Sequence, residues 1–205
     1  MCLPVHKCNW LQAMETSVDP VHTYYLHGHQ SAVRGLSGAE YYYRPIGKLE
    51  LEEVRGPVWA GIVKKRTYEE GEERESETGH PLILPNILYA PQGPDLVMHW
   101  RVPIDDTHTY IVWVSFRPST DGRKVQQPDD PPVEYLPPMV TPEGEYDMTS
   151  FPSQDMMAWE NQGPIFDRTK ENLRTSDKGI TMCRRLLREQ IKVVQQGGRT
   201  SGRDP

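Results

Sequence analysis

The chain has 205 residues, 36% of them hydrophobic and 25% charged, with 23 Lys and Arg against 29 Asp and Glu for a formal net charge of -6. The acidic balance argues against a nucleic-acid scaffold, and a length of this order fits one domain, at most two small ones. Cys2, Cys8 and Cys183 are the only cysteines, with no C-x-x-C pair, which excludes a disulfide framework, a zinc ribbon and a four-ligand iron–sulfur cluster built within these residues.

A mean hydropathy of -0.68 indicates a loop-rich, well-solvated globular chain. The first eight residues are too short and polar for a signal peptide, and the longest apolar run, residues 110–116, is far below the roughly 18 to 20 residues that span a bilayer. A cytoplasmic location, away from membranes and nucleic acid, is therefore expected.

In chain order, Asp19 followed by Pro20 is an N-cap and first-turn pair that starts a helix. Residues 48–54 alternate, residues 57–68 carry Val58, Ile62 and Val63, and residues 96–104 and 108–116 are rich in Val, Ile, Trp and Tyr, the pattern of strands. Asp105, Asp106 and Thr107 form a tight connection that makes the last two antiparallel neighbours. The acidic cluster at 69–73 reads as a solvated loop. Eight prolines between 117 and 152 rule out a helix or central strand through most of that stretch, leaving a lid, binding loop or subunit contact, or else a linker. From Ser176, a candidate N-cap, the positions Ile180, Cys183, Leu187, Ile191 and Val194 recur at helical spacing up to Gly197 and Gly198. This last helix is long enough to lie across a sheet, with Arg184, Arg185 and Arg188 on its solvent side. The class is α+β: a curved antiparallel sheet closed by a long C-terminal helix.

The chemistry concentrates in Asp19, His22 and His27, a D-x2-H-x4-H pattern. An interval of five from one histidine to the next is not a same-face helical spacing, so the helix is expected to end or bend near Gly28 for the imidazoles to converge. Two imidazoles and a carboxylate with open positions suit ferrous iron in oxygenases, but the same set serves hydrolytic zinc, and beside Tyr24, Tyr25 and His29 it also fits a surface cluster. His108 reads as a turn histidine paired with Asp105 and Asp106, His80 and His99 as structural, and His29 as close enough to touch a substrate. The five tryptophans read as core first and pocket lining second.

The strings NWLQ (9–12) and DPVHTYYLH (19–27) resemble the start of the catalytic domain of Rieske-type aromatic-ring oxygenase α subunits, in the branch of phthalate dioxygenase and dehydrodivanillate O-demethylase. The resemblance continues through GHPLILPN (79–86), WRVPIDDTHT (100–109), QDMMAWENQGPIFDR (154–168), SDKGI (176–180) and RRLL (184–187), covering nearly the whole chain in order.

It implies a helix-grip (Bet v 1-like) fold over residues 1–205, with the Pro-rich loop inside it, and a mononuclear Fe(II) held by His22, His27 and a distant carboxylate. The family places that third ligand at the start of the helix beginning with Gln154, which points to Asp155 ahead of Glu160 and Asp167, the latter pairing with Arg168. Asp19 would accept the outer ring N–H of an iron-bound histidine and carry electrons from the cluster of a neighbouring subunit. Thr16, following Glu15, departs from the family at a position where many relatives carry Asn after the Glu, so a hydrogen bond near the iron is lost or replaced. The implied activity is hydroxylation or O-demethylation of a methoxy-aromatic acid with O2, with ring dihydroxylation as the alternative. A homo-oligomer, a trimer in the family, is implied, together with a reductase or ferredoxin. The sequence has no C-x-H and C-x-x-H pair, so a Rieske [2Fe-2S] cluster is expected in trans, the chain being a truncated or split product. An inactive interaction remnant is the non-catalytic alternative.

Overall fold

Asn9 caps the first helix, α1 (Trp10–Thr16), by accepting a hydrogen bond from the backbone N–H of Leu11 at 3.0 Å. The computed structural model describes residues 1–36, 43–56, 59–69, 76–90, 95–121, 123 and 129–200. After α1 the chain turns at Asp19 and Pro20 and enters a second helical segment, whose π-helical turn (Thr23–Gly28) runs unbroken into α2 (His29–Arg34). The expected stop near Gly28 does not occur. Gly35, in the left-handed region at φ 63°, ends the helix instead.

Six strands follow as an antiparallel meander in the order β1 (Ile46–Arg55), β2 (Ala60–Tyr68), β3 (Ser76–Ile83), β4 (Ile87–Tyr89), β5 (Leu96–Pro103) and β6 (Thr109–Phe116). The strands expected from alternation are present, Pro57 and Val58 lying outside the described residues, and the expected pair β5 and β6 are antiparallel neighbours from Leu96 opposite Phe116 to Pro103 opposite Thr109. Strands β3 and β4 were not separately read from the sequence: Pro81 interrupts one and the other is three residues long. Residues 70–73 of the acidic cluster lie outside the described residues.

The curved sheet is closed by α3 (Phe151–Glu160), capped by Ser150, and by α4 (Lys178–Gln195), giving the helix-grip arrangement. A short 3-10 turn (Thr175–Asp177) precedes α4 and moves its N-cap from Ser176 to Asp177. One core cluster joins Met14 and Val18 to Ile62 and Leu82 of the sheet and to Cys183 and Leu186 of α4. Helix α4 approaches α1 so closely that a Cβ on Gly179 would meet the Val18 carbonyl oxygen at 2.1 Å, which fixes the segment just before Asp19. The expected apolar stripe is only half used, since Ile191 and Val194 are 54% and 56% exposed beyond the reach of the sheet.

The Pro-rich stretch contains no helix or strand before α3 among its described residues, as its prolines require, yet it is tied to the fold through backbone hydrogen bonds at Glu134 and Leu136 and through buried Met139. Cys2 donates its N–H to the Glu134 carbonyl at 2.7 Å and accepts from Leu136 N–H at 2.9 Å, and Met139 joins Leu3, Ile111, Met156 and Trp159 in a second core cluster.

His6 lies inside that region, fully buried and edge-on to Trp159, with neither ring nitrogen hydrogen-bonded. Burial, aided by the charge of Arg101, lowers its pKa from 6.5 to about 4. The unfolded chain therefore binds the proton first, and stability from this site is complete above pH 6.5 and lost as pH falls towards 4. The expected loss over that window is about 3 kcal/mol, read as the change in unfolding free energy by urea titration. His6→Leu should flatten the profile between those limits; an unchanged slope would remove His6 as its source.

Candidate metal centre

The π-helical turn solves the spacing problem of His22 and His27. Residues five apart in an α-helix point about 140° away from each other, whereas the i→i+5 bond of a π-helix stacks them on one face. The two rings accordingly sit 5.1 Å apart, centroid to centroid. Helix α3 brings Asp155 to them from the other end of the chain: its Oδ1 lies 3.3 Å from His27 Nε2 and 3.9 Å from His22 Nε2. One ligand atom from each of the three residues falls within a 4.8 Å group. Asp155 Oδ1 is buried and makes no hydrogen bond, the condition of a carboxylate oxygen that a cation would satisfy.

The outer nitrogens of both histidines are held. His27 Nδ1 donates to Gln154 Oε1 at 2.8 Å, and Gln154 is itself oriented by donating Nε2 to the Met148 carbonyl at 2.9 Å. That leaves the His27 Nε2 lone pair facing Asp155, the tautomer a metal ligand needs. His22 Nδ1 bonds to the backbone carbonyl of Asp19. The carboxylate of Asp19 divides its oxygens: Oδ1 accepts from Val21 N–H at 2.9 Å, as the expected N-cap would, and Oδ2 stands 4.0 Å from His22 Nδ1. Gln154 was not singled out from sequence as a functional residue; its adjacency to Asp155 on one helical turn was the available signal.

Burial lowers the pKa of His22, keeping it in the neutral form that binds metal, although Asp155 opposes the shift. For His27, burial alone would lower the pKa, but the Asp155 carboxylate and the Gln154 amide reverse it and raise the value. Burial likewise would raise Asp155, and His27, His22 and the Arg101 guanidinium outweigh it, so the carboxyl is held below its ordinary value. The residues thus fit a divalent cation: a carboxylate and two oriented imidazoles, with ligand positions to spare.

The centre opens onto a cavity of about 700 Å³ between the helices and the inner face of the sheet, lined also by Thr16, Phe151, Trp113 and Trp159. Its sheet wall is unexpectedly polar. Strand alternation places Lys64 and Arg66 in phase with buried Ile62, and His99 and Arg101 in phase with buried Val97. Lys64 donates to the carbonyl of Ser17 at the end of α1. His99 stacks on Trp113 at 4.3 Å, and burial, with Arg101 nearby, lowers its pKa to about 2. His80 and His99, expected to be structural, therefore both line the cavity. Period-two alternation in residues 57–68 was a signal that could have placed Lys64 and Arg66 inside.

Other expectations resolve individually. His108 pairs with Asp105 at 3.1 Å as a turn histidine should. His29 packs on Tyr24, Tyr25 and Tyr43 and does not line the cavity. Glu160 faces away, accepting from Lys7 N–H at 2.7 Å and from the Tyr146 hydroxyl at 2.9 Å. Asp167 caps a 3-10 turn and pairs with Lys170 rather than Arg168, which is drawn to Glu15 and Glu171. Thr16, at the departure from the family pattern, accepts a hydrogen bond from Trp159 Nε1 at 2.7 Å. No described helix is long and apolar enough to cross a membrane.

Residues 140–204 match the family described as LigXa C-terminal domain like. The chain is 32% identical to the 5,5'-dehydrodivanillate O-demethylase oxygenase subunit of Sphingobium sp. (strain NBRC 103272 / SYK-6), over 95% of this chain and 44% of that one. It is 30% identical to phenoxybenzoate dioxygenase subunit alpha of Ectopseudomonas oleovorans, over 98% of this chain and 46% of that one. Against the phthalate 4,5-dioxygenase oxygenase subunit of Pseudomonas putida the identity is 25%, over 93% and 50%. The chain spans about half the length of the curated relatives it matches.

Proposed function

We propose, for a chain that belongs with the oxygenase subunits of the dehydrodivanillate O-demethylase and phthalate dioxygenase type, that it is the mononuclear iron catalytic domain of an oxygenase acting on a methoxy-aromatic acid. The observation that carries this reading is the convergence of His22, His27 and Asp155 at the head of a cavity large enough for an arene. Ferrous iron bound there supplies activation of dioxygen for insertion into an aromatic ring or an aryl methyl ether, the latter ending in formaldehyde and a phenol. His22, His27 and Asp155 would hold the metal, and the cavity they border would admit substrate. Gln154 and the Asp19 carbonyl keep the two imidazoles in register. Trp113, Trp159 and Phe151 give the ring apolar walls.

Asp19, beside His22 at the edge of the cavity, is assigned the electron entry. With no C-x-H and C-x-x-H pair in these residues, the electrons are assigned to a Rieske [2Fe-2S] cluster in trans, on a partner subunit served by a reductase or ferredoxin. The prepared donor set favours a working centre over an inactive remnant, since a carboxylate and two oriented imidazoles left without a cation would be a cost with no return.

The test is anaerobic reconstitution with ferrous iron, followed by oxygen and a methoxylated benzoate, with and without a Rieske-bearing partner and its reductase. One iron per chain, little turnover with reductant alone, and oxygen-dependent formaldehyde release with the partner are expected. A cis-diol product would assign ring dihydroxylation instead. Tight zinc with oxygen-independent hydrolysis, or robust NADH-supported turnover without any iron–sulfur protein, would overturn the reading.

A further inference from the structure

Trp159 stands at the start of a row of side chains that substrate binding does not use. It lines the cavity together with Asp155, one turn earlier on α3, and of the five tryptophans it alone is buried, the others being half-buried. Its ring meets the buried His6 ring edge-on, with centroids 5.4 Å apart. His6 Nδ1 in turn lies 4.0 Å from Oε1 of Glu160, the residue that follows Trp159. Glu160 Oε2 accepts from the Tyr146 hydroxyl at 2.9 Å, and the Tyr146 ring packs on the core cluster that contains Trp159 and Cys8. Tyr146 itself is half-buried, and residues 142–145 just before it are exposed. The row thus leads from the cavity wall to the surface through neighbours in contact.

Indole and phenol give up one electron more readily than other uncharged aromatic side chains, and their proton partners set the direction of transfer here. Trp159 Nε1 donates to the Thr16 hydroxyl, a poor base, so an oxidised indole keeps its proton and its driving force. Tyr146 donates to a carboxylate, which can take the phenolic proton as the electron leaves. That carboxylate is held in place by the Lys7 N–H at 2.7 Å. Burial, and then Glu160, push the Tyr146 hydroxyl up to about 12, so the ring is a neutral phenol until it is oxidised. The same two causes push the Cys8 thiol up to about 12, and no thiolate competes with the phenol. His6, with neither ring nitrogen hydrogen-bonded, fills the space between indole and carboxylate without taking the proton.

We propose that Trp159 and Tyr146, with Glu160 as proton acceptor, form an exit route for oxidising equivalents that arise at the metal centre when oxygen is activated with no substrate to receive them. The inference rests on the oxygenase reading for the source of the oxidant, but the route can be tested without a metal. Trp159 gives one electron to the oxidant and becomes an indole radical cation. Tyr146 then gives one electron to Trp159 and its hydroxyl proton to Glu160 Oε2, which restores the indole and leaves a neutral phenoxyl radical beside a carboxylic acid. A soluble reductant of the ascorbate or thiol class supplies the last electron at the surface and releases its own proton to water, while Glu160 returns the phenolic proton. One electron has moved from the reductant to the cavity and the protein is unchanged. His22 and His27, the oxidisable groups nearest the metal, are spared.

The test begins with the metal-free full chain and azide radical made by pulse radiolysis, a small oxidant of indoles that a cavity of about 700 Å³ admits. Decay of the indolyl absorption into phenoxyl absorption is expected, slowed in heavy water because a proton moves with the electron. Tyr146→Phe and Trp159→Phe should each remove its fastest phase, and Glu160→Gln should slow that phase by about 100-fold. Thermal melting identifies a variant that has lost its fold, and Glu160→Gln with the solvent isotope effect decides where a phenylalanine variant has. The iron-loaded chain, given hydrogen peroxide and no substrate, should then show a phenoxyl resonance that Tyr146→Phe abolishes, with more oxidation of His22 and His27 by peptide mass spectrometry. Folded variants that all keep the wild-type phase, or an iron-loaded chain that forms no phenoxyl radical with peroxide, overturn the route. Indole-to-phenol transfer in a chain that takes up no iron would support the route while sinking the iron reading; iron uptake without the transfer would do the reverse.

Discussion

Replacing His22, His27 or Asp155 by Ala is expected to reduce iron after anaerobic reconstitution from one per chain to a trace, the largest effect any single side chain here should have. Each would supply one ligand atom to the proposed centre, the three atoms lying within 4.8 Å of one another among the described residues. Replacing a group that merely orients a ligand costs about 10- to 100-fold in metal affinity, so loss of a ligand should exceed that range. Gln154→Leu provides the graded comparison: His27 would lose the 2.8 Å acceptor on Nδ1 but keep its place on the π-helical turn, and affinity should fall within the orienting range. Asp19→Ala should retain the metal, because His22 is held by the Asp19 backbone carbonyl, which the substitution leaves in place. Its effect should appear in turnover with the electron-donating partner. Iron content measured by mass spectrometry on desalted protein decides the series. One iron per chain in Asp155→Ala would move the third ligand elsewhere.

How far this centre was legible depends on which kind of information each residue needed. The strands carrying β-branched and aromatic residues at period two could be read directly, as could the tight connection at Asp105 to Thr107, because those signals are local. The convergence of His22 and His27 could not, since an interval of five is off-phase for an α-helix and becomes in-phase only through the π-helical turn, which no propensity encodes. Asp155 came from resemblance alone: 128 residues separate it from His27, by the difference of their numbers, and only the helix-grip closure brings α3 back to the turn. His80 looked structural because a strand-like neighbourhood hides the bulge that turns it inward. The phase of Lys64 and Arg66 with Ile62 is visible in the sequence, but buried cations are rare, so the alternation points to its apolar members first.

Helical spacing puts Arg184, Arg185 and Arg188 together on the solvent side of α4, whereas the structure separates Arg184 from the other two, with a measurable consequence. Arg185 remains half exposed among Glu53 and Glu189 at the surface. Arg184 does not: its side chain is 12% exposed, donating Nε to Glu15 Oε1 at 2.7 Å and Nη1 to Glu171 Oε2 at 2.6 Å. Arg168 adds a bond to Glu15 at 2.8 Å, so two arginines and two carboxylates tie α1, the segment before α4 and α4 itself into one unit. Arg184→Met would leave Glu15, 7% exposed, and Glu171 facing each other with only Arg168 between them. Breaking a buried pair from one side costs about 3 to 5 kcal/mol, whereas Arg188→Met, an exposed position, should stay within about 0.5 kcal/mol. Chemical denaturation reads the difference directly. Adding Glu15→Gln to Arg184→Met should restore part of the loss, because the uncompensated carboxylate and not the missing stem is its main source. Because α1 leads through Val18 to Asp19 and His22, loosening the network should also weaken iron binding in the single variant. An Arg184→Met chain as stable as Arg188→Met would return all three arginines to the solvated face that their spacing first suggested.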